Sequence, residues 1–360
     1  MGFNCGIIGL PNVGKSTIFN ALTGAGAHMA SYPFCTIEPN KGIVPVPDQR
    51  LQTIAGLLNK KNPIPTKIEF TDVAGLVKGA SRGEGLGNQF LGHIRNVDAI
   101  IHVVRCFTSE DAVHVLGSVD PLRDIEIINT ELILADIGVL EKAHEKAVKL
   151  AKAGEKTTRT HLESIEKLIT FLNTGRMLKS MEEEHKPAEV ISEHGLITDK
   201  PVLYLANTAE GTPDSLVAQV KAYAAREGSE SLALAGSIEE EIEELPPEER
   251  NEYLAAMGLE RSGLDRLIET AYKLLGLITY YTMTTDLQAW TLKAGTTAPH
   301  AAGKIHTDFE KGFIRAEVIS YTDLLECGSE QQARTRGYLR SEGKEYNIRD
   351  GDIVHYLFNV

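Results

Sequence analysis

The stretch Gly9-Leu10-Pro11-Asn12-Val13-Gly14-Lys15-Ser16 decides the fold of this 360-residue chain. It follows an apolar run at residues 3–8 that is typical of a buried strand, and apolar residues at helical spacing come after it. A strand, a Gly-x-x-x-x-Gly-Lys-Ser loop and a helix, in that order, are the pattern of a phosphate-binding loop. Its glycines let backbone N–H groups approach a polyphosphate, Lys15 reaches the terminal phosphates, and Ser16 is a ligand for Mg²⁺. The sequence therefore predicts a nucleotide-binding protein.

The composition is typical of a globular protein with two or three domains, with 42% hydrophobic and 24% charged residues. We expect a cytoplasmic protein without a membrane partner, because no apolar stretch reaches spanning length and no leader precedes the first strand. The formal net charge of -13 argues against a DNA-binding regulator. The four cysteines are scattered and lack metal-type spacing, which favours free thiols: Cys5, Cys35, Cys106 and Cys327.

Further strand-like runs at residues 67–70, 99–104 and 201–205 predict a parallel α/β sheet. Between the last two, residues 124–186 have helical periodicity and no strand signal, which indicates an inserted helical hairpin with Gly154 at its turn. Residues 237–250 are acidic and predict an exposed helix followed by a turn at Pro246-Pro247.

The sequence pattern changes from helical to strand-like near residue 278. Runs at 287–292, 313–319 and 353–358 predict a small β-rich domain. The expected organisation is thus a nucleotide domain at residues 1–125 and 200–277, a helical domain at 126–199, and a β-rich domain at 278–360. Two groups of basic residues are either solvated surface or nucleic-acid contacts: Lys142, Lys146, Lys149, Lys152 and Lys156, and Arg334, Arg336, Arg340, Lys344 and Arg349.

A second motif, Asp72-Val73-Ala74-Gly75, follows the strand at 67–70. In this position Asp72 can hold Mg²⁺ through water, and the Gly75 N–H can meet a γ-phosphate. The glycine-rich residues 76–87 then predict a switch segment that the γ-phosphate orders. Thr36, in the loop Tyr32-Pro33-Phe34-Cys35-Thr36, is the candidate second protein ligand to Mg²⁺. For the short Asp72-Val73-Ala74-Gly75 motif, the alternative is a turn without a role in nucleotide binding.

Base recognition is expected after the strand at 201–205, where the chain reads Asn207-Thr208-Ala209-Glu210 in place of Asn-Lys-x-Asp. Glu210 is one methylene longer than the aspartate that accepts two hydrogen bonds from guanine, and Thr208 lacks the lysine stem that covers the ring. Misplacing a buried carboxylate costs about 2 to 4 kcal/mol, so the preference for guanine is expected to weaken.

Hydrolysis needs a group that orients water, and Leu76 stands where Ras-like enzymes have a glutamine. His114 is a candidate, because a neutral imidazole can orient water or accept its proton. A structural histidine is the alternative.

Together these motifs resemble the YchF family of Obg-like ATPases, in the translation-factor-related branch of P-loop NTPases. The resemblance runs end to end and includes residues 9–17, 32–39, 72–88 and 207–210, and the stretch at 298–309 that is similar to the family's TGS domain. It implies a β-grasp fold there, ATP preferred over GTP, and binding to the large ribosomal subunit or RNA. It also implies a catalytic role for His114, Lys15 and Gly75, with these nucleotide contacts: Asn12, Val13, Gly14, Lys15, Ser16, Thr17, Asn207, Thr208 and Glu210.

The expected activity is thus Mg²⁺-dependent ATP hydrolysis, and the expected Mg²⁺ ligands are Ser16, Thr36 and Asp72. Asn12 is either a ligand for K⁺ or a cap of the loop, and Ala235-Gly236-Ser237 is the counterpart of the final base-contacting loop. Two alternatives stay open: an Obg-type GTPase switch, and a ribosome-binding module in which hydrolysis is incidental. A kinase is disfavoured because no second substrate site or catalytic aspartate signature is evident. The sequence does not define the oligomeric state.

Overall fold

The computed structural model describes residues 3–24, 39–73, 79, 86–109, 114–151, 157–283 and 286–359, with the backbone alone at 86–89, 151, 157–158 and 247. By their contacts, residues 1–43 and 69–267 form one compact unit, and residues 44–68 and 268–360 form another. The predicted three-domain division remains a prediction. None of the described helices is both long enough and apolar enough to cross a bilayer.

The strands, in chain order, are β1 Asn4–Ile8, β2 Asn40–Pro45, β3 Lys67–Asp72, β4 Ala99–Arg105, β5 Val202–Asn207, β6 Glu230–Leu234, β7 Leu277–Met283, β8 Leu287–Lys293, β9 Phe313–Ser320, β10 Arg340–Glu342 and β11 Asp352–Phe358. The helices are α1 Lys15–Gly24, α2 Gln49–Leu57, α3 Leu86–Arg95, α4 Pro121–Ala151, α5 Thr157–Leu172, α6 Ala188–His194, α7 Asp214–Arg226, α8 Gly236–Glu244, α9 Pro247–Ala256, α10 Gly263–Leu274, α11 Ala298–Ile305, α12 Thr307–Lys311, α13 Tyr321–Cys327 and α14 Glu330–Arg336. Short 3-10 turns occupy Leu178–Ser180, Glu183–His185 and Ile197–Asp199.

The first sheet has the order β2-β3-β1-β4-β5-β6. Strand β1 pairs in parallel with β3 and β4, and β4–β5 and β5–β6 are also parallel. Every residue of β4 and β5 is buried, as expected for central strands covered on both faces. The predicted parallel α/β sheet is therefore confirmed, and its carboxyl edge brings the ends of β1, β3, β4 and β5 side by side.

The helical hairpin is formed by α4 and α5. The two helices pack against each other, and apolar residues at helical spacing on them are buried: Ile128, Leu132, Leu140, Ile165 and Leu168. This confirms the helical interpretation of the region, whereas Gly154, the predicted turn, lies outside the described residues. Lys142, Lys146 and Lys149 are exposed on α4.

The acidic segment differs from its prediction. Pro247 begins a further helix, α9, where a turn was expected, because proline is well tolerated in the first turn of a helix. The preceding helix, α8, also has a buried residue where full exposure was expected. Glu239 is only 4% exposed and accepts hydrogen bonds from the N–H groups of Gly263 (2.8 Å) and Leu264 (3.2 Å), so it caps α10.

The second unit contains a mixed sheet in the order β10-β9-β11-β7-β8, in which β11 and β7 are parallel and the other pairs antiparallel. Side chains alternate between two hydrophobic clusters, with Tyr281 and Ile353 in the one that includes α2, and Tyr280 and Val354 in the one that includes α11. A sheet with helices packed on it is what the β-grasp expectation requires. Strand β7 was not predicted, because its apolar run follows α10 with only Leu275 and Gly276 between them.

Three cysteines are described, and all are buried free thiols, as predicted for them: Cys5, Cys106 and Cys327. Burial raises the pKa of Cys106 to about 12, so this thiol stays protonated near neutral pH. Cys35 lies outside the described residues.

Candidate functional site

The phosphate-binding loop joins β1 to α1 with two glycines in the conformation that favours glycine. Gly9 has a φ of 152°, and a Cβ there would lie 2.5 Å from the backbone oxygen of Val103. Gly14 has a φ of 89°, and a Cβ there would collide with the side-chain amide of Asn207. Both positions thus require glycine, because β4 and β5 press directly against the loop.

Lys15 is the first residue of α1 and is only 7% exposed. Its Nζ donates a hydrogen bond to the backbone oxygen of Leu10, 2.8 Å away, so the side chain folds back over the loop. Burial lowers the pKa of Lys15 to about 8, although the nearby Asp72 carboxylate opposes this shift. A buried ammonium held by one carbonyl is suited to take a phosphate oxygen as a stronger partner.

Ser16 and Asp72 meet across the carboxyl edge of the sheet. The Ser16 hydroxyl donates to Oδ2 of Asp72 over 3.2 Å, whereas Oδ1 of Asp72 is buried and has no hydrogen-bond partner among the described residues. Burial raises the pKa of Asp72, and Lys15 and the Ser16 hydroxyl oppose the rise. A hydroxyl beside an unsatisfied carboxylate oxygen fits Mg²⁺, which prefers oxygen ligands and retains several waters.

Arg105, at the end of β4, was not predicted as a site residue. Its side chain is 1% exposed, and its Nη1 donates to the backbone oxygen of Asn12 over 2.9 Å, while Nε donates to that of Phe107 over 3.0 Å. Asn12 has a φ of 61°, so the guanidinium supports a loop residue in the left-handed region. An arginine ending the largely apolar run of β4 was the available signal, because buried arginines need carbonyl or carboxylate partners.

Asn207 links two loops at the end of β5. Its Nδ2 donates to the backbone oxygen of Val13 over 2.9 Å, and its Oδ1 accepts from the Gly236 N–H over 3.0 Å. The residue is 3% exposed, so both hydrogen bonds are shielded from water. Asn207 therefore joins the phosphate-binding loop to the start of α8, where the sequence placed the final base-contacting loop.

The residues after Asn207 turn outward from β5. The Thr208 hydroxyl donates to the backbone oxygen of Leu234 over 3.1 Å, and the Ala209 N–H donates to the Thr212 hydroxyl over 2.9 Å. Glu210 is exposed. The Thr208 hydroxyl is thus occupied by β6, whereas the Glu210 carboxylate faces solvent.

His114 is 6% exposed and uses both ring nitrogens. Its Nδ1 accepts from the Leu116 N–H over 3.1 Å, which requires the proton of the neutral ring to be on Nε2. That Nε2 then donates to Oδ2 of Asp124 over 2.7 Å. The Asp124 carboxylate also accepts from Arg123. In this arrangement His114 is held by neighbouring groups.

The Asp124 carboxylate lies within electrostatic range of Arg105, the residue that supports the phosphate-binding loop. Burial lowers the pKa of Arg105, and Asp124 opposes that shift. The charge of Asp124 thus acts on Arg105, which donates to the backbone oxygen of Asn12 in the phosphate-binding loop.

Thr36, Gly75 and Leu76 lie outside the described residues. Within the glycine-rich segment at 76–87, Gly79 is described, and its N–H donates to Oε1 of Glu131 over 2.6 Å. Glu131 is buried on α4. This contact connects the predicted switch segment to the helical hairpin and could not be read from the sequence, because the two residues are 52 positions apart.

The structure therefore brings Lys15, Ser16, Asp72 and Asn207 together at the carboxyl edge of the first sheet. Val13 and Gly14 contribute through the loop backbone, and Thr17 follows in α1. A loop of backbone N–H groups at the start of a helix, with a lysine and a hydroxyl–carboxylate pair, is suited to hold a nucleoside triphosphate with its metal ion.

Comparisons with known proteins agree on one family. A family model described as "50S ribosome-binding GTPase" matches residues 4–129, and the YchF-GTPase_C model, described as a protein of unknown function, matches residues 277–359. Among curated proteins, the "Ribosome-binding ATPase YchF" of Escherichia coli O157:H7 is 50% identical over 363 residues, and that of Bacillus subtilis (strain 168) is 50% identical over 366 residues. Both alignments cover 100% of this chain and 100% of the relative.

Solved structures agree with these matches. The Schizosaccharomyces pombe YchF GTPase superposes with a TM-score of 0.86 at 37% identity and covers 99% of this chain and 98% of that chain. A GTP-binding protein from Pyrococcus horikoshii OT3, at 21% identity and a TM-score of 0.59, shares the fold.

Proposed function

The chain belongs to the YchF family, and from this premise we propose that it is a Mg²⁺-dependent ATPase whose nucleotide state controls its binding to the large ribosomal subunit. It is a P-loop nucleotide hydrolase, as the names of its relatives and the match of residues 4–129 indicate. The observation that carries the proposal is the group formed by the buried Lys15 and the hydrogen-bonded pair of Ser16 and Asp72.

In the proposed ATP complex, Lys15 exchanges the Leu10 carbonyl for the terminal phosphates. Ser16, Thr36 and Asp72 hold Mg²⁺, which neutralises charge on the β- and γ-phosphates when it is bound. The Oδ1 of Asp72 supports this assignment, because it is buried and lacks a hydrogen-bond partner in the described part of the chain, which is costly for a carboxylate oxygen. Gly75 is the proposed γ-phosphate contact.

We propose that adenine is preferred over guanine. An aspartate is needed to pair with guanine, whereas Glu210 is longer and exposed, and the Thr208 hydroxyl is held by Leu234. Asn207 supports the pocket by joining Val13 to Gly236. Twentyfold discrimination requires only about 1.8 kcal/mol, which is within what one misplaced buried hydrogen bond costs.

His114 is the proposed group that orients water. Its neutral ring has the correct protonation state, but the hydrogen bonds to Asp124 and Leu116 must be exchanged before it can act. We therefore propose slow basal hydrolysis that rises when a partner displaces the segment around His114.

The switch is proposed to reach the ribosome through α4. Gly79, next to the γ-phosphate motif, contacts Glu131, and the same helix presents Lys142, Lys146 and Lys149 to solvent. A line of exposed lysines suits the phosphate backbone of ribosomal RNA, despite the net negative charge of the chain. We place this activity in the cytoplasm, with ribosomes.

The test is competition of ATP and GTP for the purified protein, together with phosphate release from each. ATP binding at least tenfold tighter than GTP supports the proposal. The alternative, an Obg-type GTPase, is favoured by the description of the family model and the name of the S. pombe structure, and it requires the reverse order. Adding K⁺ in place of Na⁺ tests whether Asn12 contributes a monovalent-cation site.

The second alternative is a ribosome-binding module in which hydrolysis is incidental, and the engaged state of His114 favours it. Comparing Lys15→Ala with His114→Ala separates these functions. The ATPase proposal expects Lys15→Ala to lose nucleotide-dependent ribosome association. Unchanged association in both variants supports the module.

A further inference from the structure

A second cluster of ligating side chains lies in the helical part of the first unit, away from the phosphate-binding residues in sequence. His161 is on α5, and Glu193 and His194 end α6. One ligand atom from each residue lies within 4.8 Å of the other two. The Nε2 of His161 and Oε2 of Glu193 are 3.9 Å apart, too far for a hydrogen bond between them.

His194 supplies an independent indication that something is bound here. Its Nε2 is buried and has no hydrogen-bond partner among the described residues. An imidazole nitrogen that is shielded from water and lacks a hydrogen-bond partner destabilises the fold. Buried polar atoms of this kind are normally satisfied by protein, water or an ion.

The backbone around His194 is fixed from two sides. Gly195 adopts a left-handed φ of 55° and ends α6, so the chain turns immediately after the two ligands. Arg95 donates to the backbone oxygens of His194 (3.3 Å) and Gly195 (3.0 Å), and it also bonds the buried Asp136 carboxylate. The backbone that carries His194 is therefore fixed without a ligand.

The space beside the three ligands is a cavity of about 300 Å³. Besides the ligands, it is lined by Ala143, Lys146, Ala147 and Leu150 of α4. The small side chains of Ala143 and Ala147 leave room for a metal ion and a fourth ligand. The Lys146 ammonium favours an anionic fourth ligand.

We propose that His161, Glu193 and His194 form a binding site for a divalent transition-metal ion such as Zn²⁺, which joins α5 to α6. Two imidazoles and one carboxylate are a donor set that selects Zn²⁺, Ni²⁺ or Co²⁺ over Mg²⁺. With metal–ligand bonds of about 2.0–2.2 Å, tetrahedral ligand atoms are roughly 3.4 Å apart. The exposed Glu193 and half-exposed His161 can close the remaining distance by side-chain rotation.

The experiment is titration of the chelator-treated full chain with ZnCl₂, in the absence of nucleotide, followed by calorimetry. We expect one equivalent of Zn²⁺ to bind, with affinity unchanged by a thousandfold excess of Mg²⁺. His161→Gln and His194→Gln should each weaken binding at least tenfold. CoCl₂ should give the visible absorption of a four-coordinate site in the wild type and lose it in both variants.

His185→Gln is the matched control, because Glu182, Glu184 and His185 form a second such cluster whose three members are all exposed. It should change Zn²⁺ affinity less than twofold. His161→Gln and Glu193→Gln keep the test valid if His194→Gln fails to fold, because both side chains are partly or largely exposed. No Zn²⁺ uptake by the wild type, or equal uptake by His161→Gln and Glu193→Gln, would overturn the proposal.

Discussion

His114 donates from Nε2 to Oδ2 of Asp124 over 2.7 Å, so the proposed catalytic imidazole is held by a carboxylate that also anchors Arg123 in the first turn of α4. Its other nitrogen accepts from Leu116 N–H. The histidine is thus neutral and fixed in the described arrangement, and catalysis by it requires these partners to be exchanged.

Replacing His114 by alanine should lower the rate of ATP hydrolysis about a hundredfold while ATP affinity changes less than twofold. A positioned general base contributes roughly 10²–10⁴ in rate, and the hydrogen bonds of His114 to described residues go to Asp124 and Leu116 rather than to the phosphate-binding loop. Single-turnover phosphate release and calorimetry measure the two quantities. His144→Ala is the control, since that histidine pairs with Glu166 on the helical hairpin. Equal rates for His114→Ala and wild type would show that the imidazole is structural.

ATP binding should weaken as pH rises above about 8. Burial lowers the pKa of Lys15 from its ordinary value to about 8, so the side chain is half charged near that pH and loses its remaining charge as the pH rises further. A bound phosphate favours the charged form, and binding at pH 8.5 should therefore take up a proton. Calorimetry in two buffers of different ionisation enthalpy measures this uptake.

Lys15→Arg is the control for the pH dependence, because a guanidinium stays charged throughout this range. Its affinity for ATP should be weaker but independent of pH between 7 and 9. Proton uptake by the wild type equal to that of Lys15→Arg would assign the effect to another group.

Asn207→Ala should destabilise the protein by about 2–4 kcal/mol, because it leaves the buried Val13 carbonyl and Gly236 N–H without their partner. Nucleotide affinity should fall as well, since the phosphate-binding loop loses its tie to α8. Urea unfolding and ATP titration measure the two effects. Asn207→Asp is a useful comparison: it keeps the acceptor for Gly236 but sets a buried carboxylate oxygen against the Val13 carbonyl oxygen, so the loss near neutral pH should be at least as large as that of Asn207→Ala. Full stability in Asn207→Ala would contradict this bridging role.

The phosphate-binding loop and the parallel α/β sheet were predictable because they rest on local patterns. The strand–loop–helix motif predicted Lys15 and Ser16 as nucleotide-binding residues. Continuous apolar runs predicted the buried central strands, including β4 and β5. Because Asp72 comes at the end of a predicted strand, it was expected at the carboxyl edge of the sheet, where the structure has it. These predictions needed only short-range chemistry.

The contacts that connect distant segments were not predictable. Arg105 supports Asn12 across 93 positions, Gly79 reaches Glu131 across 52, and Asn207 reaches Val13 across 194. Each depends on how the elements pack, which periodicity does not encode. Strands β2 and β6 were also missed, because half-exposed edge strands have a weak apolar pattern.

The double substitution Thr208→Lys with Glu210→Asp should shift base preference towards guanine by at least tenfold relative to the wild type. It restores the Asn-Lys-x-Asp pattern, supplying a carboxylate of the correct length and a stem over the ring. Competition of ATP and GTP for the variant measures the shift. Glu210→Ala alone is the control, and it should change the ratio of the ATP and GTP affinities by less than about threefold. An unchanged ATP-to-GTP ratio in the double variant would place base selection elsewhere.

The most direct measurement is the dissociation constant for ATP, with and without saturating purified ribosomes. If the ATP state changes ribosome affinity, linkage requires ribosomes to change ATP affinity by the same factor. We expect a change of at least tenfold, about 1.4 kcal/mol, for the wild type, with ATP bound more tightly than GTP in both conditions. The same ATP affinity with and without ribosomes, or tighter binding of GTP, would contradict an ATP-controlled ribosome switch.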